Sequence, residues 1–408
     1  MDAPGTDTRR EALPSLTGLR FWAALLVVFY HLSREYHRLP LLSPLVWFGR
    51  DGVTFFFVLS GFVLAWSHPG AGVPARVFYW RRFARIWPLH LLTTGLGLVV
   101  TLLLGAAVPV TAALWSLPLL QSWSPAEVYG GNPAAWSLSA EAWFYLLTPA
   151  LLPFLGRRGD RAPALLAAGA CAAGAGWWLC GAFTGSPAER EWLLDYLPAA
   201  RTPQFLLGAV AAVAVRRGLR PPVPLGAAAG AVLLWHLALL PWSAAAPDSR
   251  WYSPYSGSQA LAAPLFALLV VTAAVRDTDG PGGRHGSGRH RGGSRGMLGS
   301  GPMRRLGHWS FAWYLVHQSC LRLVLLLCGP PCGPAATAAG WLLVSGGSLG
   351  LAAALYQWVE RPLERRLRAL GPQPPRGPEP GPVLPRARLG GIVTTGRRQP
   401  LPSRSTAE

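Results

Sequence analysis

The sequence contains no lysine, and only 18 of its 408 residues are acidic. Every one of its 37 fully basic side chains is arginine, and the formal net charge is +19. Charged residues make up 13% of the chain and hydrophobic residues 51%. A soluble protein carries about twice that charge, so a multidomain soluble enzyme of this length is excluded. Cysteine is scarce as well. Cys171, Cys180, Cys320 and Cys328 lie in or at the ends of apolar stretches, and Cys332 follows in a short Gly/Pro turn. Free thiols are expected there in preference to a Cys328–Cys332 bridge. Metal-ligand spacing is absent, so no metal is expected. Strong positive charge raises nucleic acid as a partner, but the arginines sit between apolar segments and in the tail, as the positive-inside rule requires of a membrane protein. The lipid bilayer is the expected partner and nucleic acid is not.

What the chain does have is apolar stretches recurring at about 18–22 residues, long enough to cross a membrane as helices. The expected fold class is all-α, a polytopic transmembrane helical bundle of about ten spans. They cover 17–34, 52–68, 86–107, 134–155, 162–184, 200–216, 223–242, 258–275, 306–328 and 336–358. Segment 109–123 is short and holds Pro109 and Pro118. Leaving it out of the membrane puts the Arg157–Arg161 cluster, the 276–305 loop and both termini on the cytoplasmic side. The outside then holds Arg34, Arg38, Arg50, Arg190, Arg201 and Arg250. Arg9 and Arg10 precede the first span without a small-residue cleavage site after it, so an uncleaved helix is expected. A cytoplasmic tail 1–16 leads into a membrane domain 17–363. A Gly/Arg/Ser loop at 277–302, holding His285 and His290, and a Pro/Gly-rich tail at 364–408 are expected to be disordered.

Four polar clusters interrupt the apolar spans. In LRFWAALLVVFYH, Arg20 and His31 are eleven residues apart, three helical turns plus about 20°, so they share one face about 16 Å apart. Buried ionisable groups in a span mark function by default, although Arg20 snorkelling and a core histidine are the bland alternatives. In YWRRFARIWP, Arg81, Arg82 and Arg85 form a cationic face level with Arg20, suited to phosphate oxygens. Ordinary membrane anchoring also explains such a cluster. In WSLSAEAWFYLLTP, Ser137, Glu141, Tyr145 and Thr148 form one polar stripe. In SFAWYLVH, Tyr314 and His317 are one turn apart. By depth, the arginines lie at the cytoplasmic edge, and His31, Glu141 and His317 in the middle to outer half.

Those pieces, with GVTFFFVLSGF at 52–62, RTPQFLLG at 201–208 and YQWVERPL at 356–363, resemble the acyltransferase-3 family of integral-membrane O-acyltransferases. They occur in the family's order over about 17–363. Thr54 stands where the family usually has an acid, and Asp51 lies one turn earlier. The resemblance implies acyl transfer from acyl-CoA, a co-substrate and not a resident cofactor, to a hydroxyl of a sugar, glycan or macrolide-type acceptor at the plasma membrane. The Arg–x10–His motif falls on Arg20 and His31, and Arg–x–x–Arg on Arg82 and Arg85, which would bind the donor with Arg20. His31 would act as general base or as a transient acyl-imidazole nucleophile. Glu141 would hold the histidine tautomer or pair with an arginine. Tyr145, Tyr314 and His317 are candidates for substrate contact. A second reading of the buried Arg, His and Glu is a secondary transporter, although no internal repeat is visible. Arginine-only, Ala/Gly/Pro-rich usage points to a GC-rich genome and makes a role in antibiotic tailoring credible.

Overall fold

The computed structural model describes residues 13–68, 74–157, 161–182, 185–245, 257–279 and 296–373. Arg9 and Arg10, the loop histidines His285 and His290, and the tail beyond Gln373 lie outside the described residues. Among the described residues the chain is helical, with no strand. The long helices are α1 (Pro14–His31), α2 (Gly52–Ser67) and α3 (Ala75–Leu103). After the short α4 (Val110–Ser116) come α5 (Trp136–Arg157), α6 (Arg161–Ala182), α7 (Thr202–Arg216), α8 (Leu225–Ala245), α9 (Gly257–Asp279), α10 (Gly301–Cys328), α11 (Pro334–Leu355) and α12 (Arg361–Leu370).

A helix stands at each of the ten expected spans. Seven stretches are long and apolar enough to cross a membrane by length and composition, beginning at Pro14, Ser43, Ala75, Pro133, Leu261, Gly301 and Pro334. The remaining three positions are α6, α7 and α8; α7 has 15 residues, about 22 Å of helix. Segment 109–123 breaks into the seven-residue α4 and a 3-10 turn at Gln121–Trp123, which suits a loop and not a span. Two expected loop limits shift. Helix α9 runs on to Asp279, and α12 extends past 363 to Leu370, closed against α3 by a 2.7 Å hydrogen bond from Trp80 Nε1 to the Leu367 carbonyl. Cys171, Cys320, Cys328 and Cys332 are free thiols, but only Cys320 is even partly buried; the others face outward.

Two glycine-mediated crossings set the frame. A Cβ on Gly61 of α2 would lie 2.0 Å from the Phe205 carbonyl oxygen, and one on Gly208 of α7 would lie 1.8 Å from the Val58 oxygen. No side chain fits, so the two backbones touch, as small residues allow in membrane bundles. The second crossing joins α1 to α10, where a Cβ on Gly307 would meet the Thr17 oxygen at 1.9 Å. The two helices run parallel from that point. His31 and His317 therefore meet further along, with ring centroids 4.9 Å apart.

Candidate active site

Two cavities lie in series along α1 and α10. The inner one, about 150 Å³, is lined by Arg20, Arg82, Arg85, Glu141, Tyr145, Ser137 and Tyr314 among apolar side chains such as Phe56 and Phe311. The outer one, about 450 Å³, contains His31, Glu35, Arg50, Tyr129, Trp136, Tyr196, Gln318 and Arg322. Val53 and Tyr314 line both, so they form the wall where the two chambers meet.

The three expected donor-site arginines do come together, but they are not equivalent. Arg85 donates to Glu360 and, at 3.3 Å, to Glu364, both carried by the segment entering α12. Arg20 and Arg82 make no ion pair among the described residues, and the Nε of each is buried without a hydrogen-bond partner. The Arg82 guanidinium lies 5.5 Å from the ring of Phe78 and 5.7 Å from that of Tyr145, held by cation–π attraction. Two half-buried cations on the wall of the cavity thus keep a buried donor unused, the kind of group a charged acceptor could satisfy.

Glu141 faces this inner chamber and not the histidine. It accepts a 2.6 Å hydrogen bond from Tyr145, its neighbour one turn along α5, with Ser60 Oγ 3.5 Å away. The depth placement that grouped Glu141 with His31 therefore gives way to a grouping with the arginines. Of the stripe's other members, Ser137 reaches Tyr314 at 2.9 Å and Thr148 turns back onto the Phe144 carbonyl.

His31 closes α1 where the helix widens into a π turn, Leu32–Tyr36, a distortion common at functional sites. Its Nδ1 lies 2.8 Å from the Val27 carbonyl, and the Nδ1 of His317 lies 2.7 Å from the Tyr314 carbonyl. Carbonyls only accept, so each Nδ1 carries the proton. His317 Nε2 then offers a lone pair to His31 Nδ1 at 3.2 Å. That leaves unprotonated the Nε2 of His31, a residue that lines the outer chamber. His317 is 1% exposed and lines neither chamber; it packs against the ring of His31. The tautomer is set by Val27 and His317, the role sequence had offered to Glu141.

Sequence reasoning passed over Glu35. It lies 4.0 Å from His31 Nε2, accepts from Gln318 at 2.8 Å and faces Arg322 at 4.0 Å. The signal was present: Glu35 is four residues after His31, on the same helical face. Glu360 was passed over too, inside the YQWVERPL segment. Asp51 does not stand in for the acid expected at Thr54. It binds His236 at 3.0 Å and Ser258 at 3.2 Å, away from both chambers, while Thr54 is buried.

A buried ion triad backs the outer chamber. Asp195, fully buried, receives Arg50 at 3.2 Å and Arg201 at 3.3 Å. Arg201, from the RTPQFLLG segment, is therefore structural. In front of it Tyr129 donates to Tyr196 at 2.7 Å, and Tyr196 to Glu191 at 3.3 Å. Burial holds both phenols above the usual tyrosine range, so they remain neutral donors.

The profile of the acyltransferase-3 family, described as an acyltransferase domain, matches residues 13–357, nearly all of the helical bundle. The chain belongs to that family. Acyltransferase MdmB of Streptomyces mycarofaciens is 32% identical over 409 residues, covering 92% of this chain and 97% of that protein. Nodulation protein 10 of Rhizobium leguminosarum bv. viciae is 32% identical over 177 residues, covering 37% of this chain and 47% of that one. No solved structure matches. The protein is thus a multi-pass membrane acyltransferase, and the transporter reading is set aside. The family profile spans both chambers of this acyltransferase and the α1–α10 crossing that brings His31 to His317.

Proposed function

We propose that this acyltransferase moves an acyl group from acyl-CoA, bound through its phosphates at the inner chamber, to a hydroxyl of an acceptor held in the outer chamber. The observation that carries the reading is the state of His31. Its Nδ1 proton is committed to Val27, and its Nε2 lone pair opens into the chamber that adjoins the cationic one. A thioester is already activated, so the protein has to orient an acceptor hydroxyl and take its proton as it attacks. Neutral imidazole does this near neutral pH. The acceptor we favour is a sugar, a glycan or a glycosylated macrolide-type product. Aromatic faces of Trp136, Tyr129 and Tyr196 beside Glu191 and Gln318 suit a hydroxyl-rich ring.

Donor binding tests the assignment of the arginines. Arg82→Ala should raise the KM for acyl-CoA by roughly tenfold or more, the value of a lost charge-assisted contact. Arg85→Ala should raise it less, because Glu360 and Glu364 already hold that guanidinium. Kinetics with purified protein in detergent decide the order, and a larger effect at Arg85 would reverse it.

We place the protein in the plasma membrane with both termini cytoplasmic, on the positive-inside distribution of arginine. A reporter fused near residue 219 should then report cytoplasm, and reporters near 40, 125 and 190 the outside. The same topology puts positions 72, 159, 290 and 390 inside and 250 outside; these five lie outside the described residues. An outside signal at 219 would overturn the arrangement.

A further inference from the structure

The two chambers share two lining residues, Val53 and Tyr314, and Tyr314 is the polar one. An acyl group that enters from the arginine side and leaves on the His31 side has to pass that hydroxyl. We propose that Tyr314 is a catalytic residue whose hydroxyl donates to the thioester carbonyl oxygen and stabilises the oxyanion that forms during transfer. This rests on the reading of the two chambers given above and adds to it the group that receives the developing charge.

The local geometry suits that role. Tyr314 is 7% exposed, packed edge-on to Phe56 at 6.2 Å, and its hydroxyl lies 2.9 Å from Ser137 Oγ. Ser137 has its own proton to give, so it can donate to the phenol oxygen and leave the phenol proton directed at a ligand. A donor fixed in advance within an enclosed site is worth far more than one in water, because nothing reorganises when the charge appears. The carbonyl of Tyr314 also anchors Nδ1 of His317, which in turn props His31. One turn of α10 therefore carries the oxyanion donor and the support of the base, which fixes their separation.

The step balances as follows. The acceptor oxygen attacks the thioester carbon, forming a C–O bond while the carbonyl π pair moves to oxygen, where the Tyr314 hydroxyl meets it. The acceptor proton passes to His31 Nε2. Collapse re-forms the carbonyl and breaks the C–S bond, and the proton on His31 goes to the departing sulfur. The products are an ester and a free thiol.

The test uses the full-length protein in detergent with acetyl-CoA. Thiol release is followed with a methyl glycoside as acceptor, and acetyl-CoA binding is measured separately. Tyr314→Phe should lower kcat by roughly 10²–10³-fold, the cost of one oxyanion donor, with acetyl-CoA affinity within about twofold of the parent. Ser137→Ala should lower kcat by a few-fold to about tenfold, since it removes only the neutral bond that orients the phenol. It carries the test if Tyr314→Phe does not fold, and an unchanged kcat in Ser137→Ala would then sink the idea. Full kcat in Tyr314→Phe beside an inactive His31→Gln overturns this inference alone. Full kcat in both overturns the two-chamber reading as well. A Tyr314→Phe that binds acetyl-CoA poorly but turns over normally makes Tyr314 a wall of the donor site, and also overturns it.

Discussion

His31→Gln should bind acyl-CoA with unchanged affinity and transfer it about 10²–10⁴-fold more slowly. Glutamine fills much of the ring's volume and keeps a hydrogen-bond donor for the Val27 carbonyl, but an amide takes no proton at neutral pH. The donor's charged head is expected at Arg82 of α3 and at Arg20, which lies about three helical turns from His31 on α1. Affinity and turnover should therefore separate: equilibrium binding of acyl-CoA stays level while kcat collapses. If purified His31→Gln kept substantial turnover, the imidazole would be structural. Attention would then move to Glu35, which shares the outer chamber. It would not move to His317, whose Nε2 points at His31, nor to Glu141, which belongs to the inner chamber.

The largest stability effect is expected at Asp195→Ala. That carboxylate is fully buried and answers both Arg50 and Arg201, themselves buried. Removing it takes from two buried guanidiniums the carboxylate they share, at a cost of about 3–5 kcal/mol. A fall in Tm of roughly 5–10 °C should follow, read by thermal unfolding in detergent. Adding Arg201→Leu removes one of the two buried positive charges and should recover part of the loss, because two like charges that have lost their shared carboxylate destabilise each other. A Tm within a degree of the parent for Asp195→Ala would show that the triad is not holding the floor of the outer chamber.

The sequence was most readable where physics leaves few options. An apolar run of span length has to be a helix in lipid, so helices stand where hydropathy put them. The arginine–histidine spacing on α1 placed the two residues on one face in different chambers. Pairing across helices was harder to read. Nothing in the order of residues said that Arg85 is answered by Glu360, some 275 positions later, while Arg82 is not. The Glu141 carboxylate was read from its polar stripe and its depth, which left open whether it meets the histidine or the arginines, because neither reports which helix faces it across the bundle. Glycine gave little help: with 47 in the chain, the sequence does not mark Gly307 as the one whose missing side chain lets α10 settle on α1. The contact of His317 with His31 depends on that crossing and was invisible without it.

The constriction at Val53 and Tyr314 bears on a competition that any transferase faces. An outer chamber of about 450 Å³, walled by charged and phenolic groups, has room for on the order of ten water molecules or more when no acceptor fills it. Each of those waters carries a hydroxyl, and His31 has no means of telling it from a sugar's. Discrimination then rests on timing. On the proposed reading, a thioester held on the inner side of the wall meets the base productively once an acceptor has displaced that water. In that sense the wall between the chambers decides whether the protein is a transferase or a wasteful hydrolase.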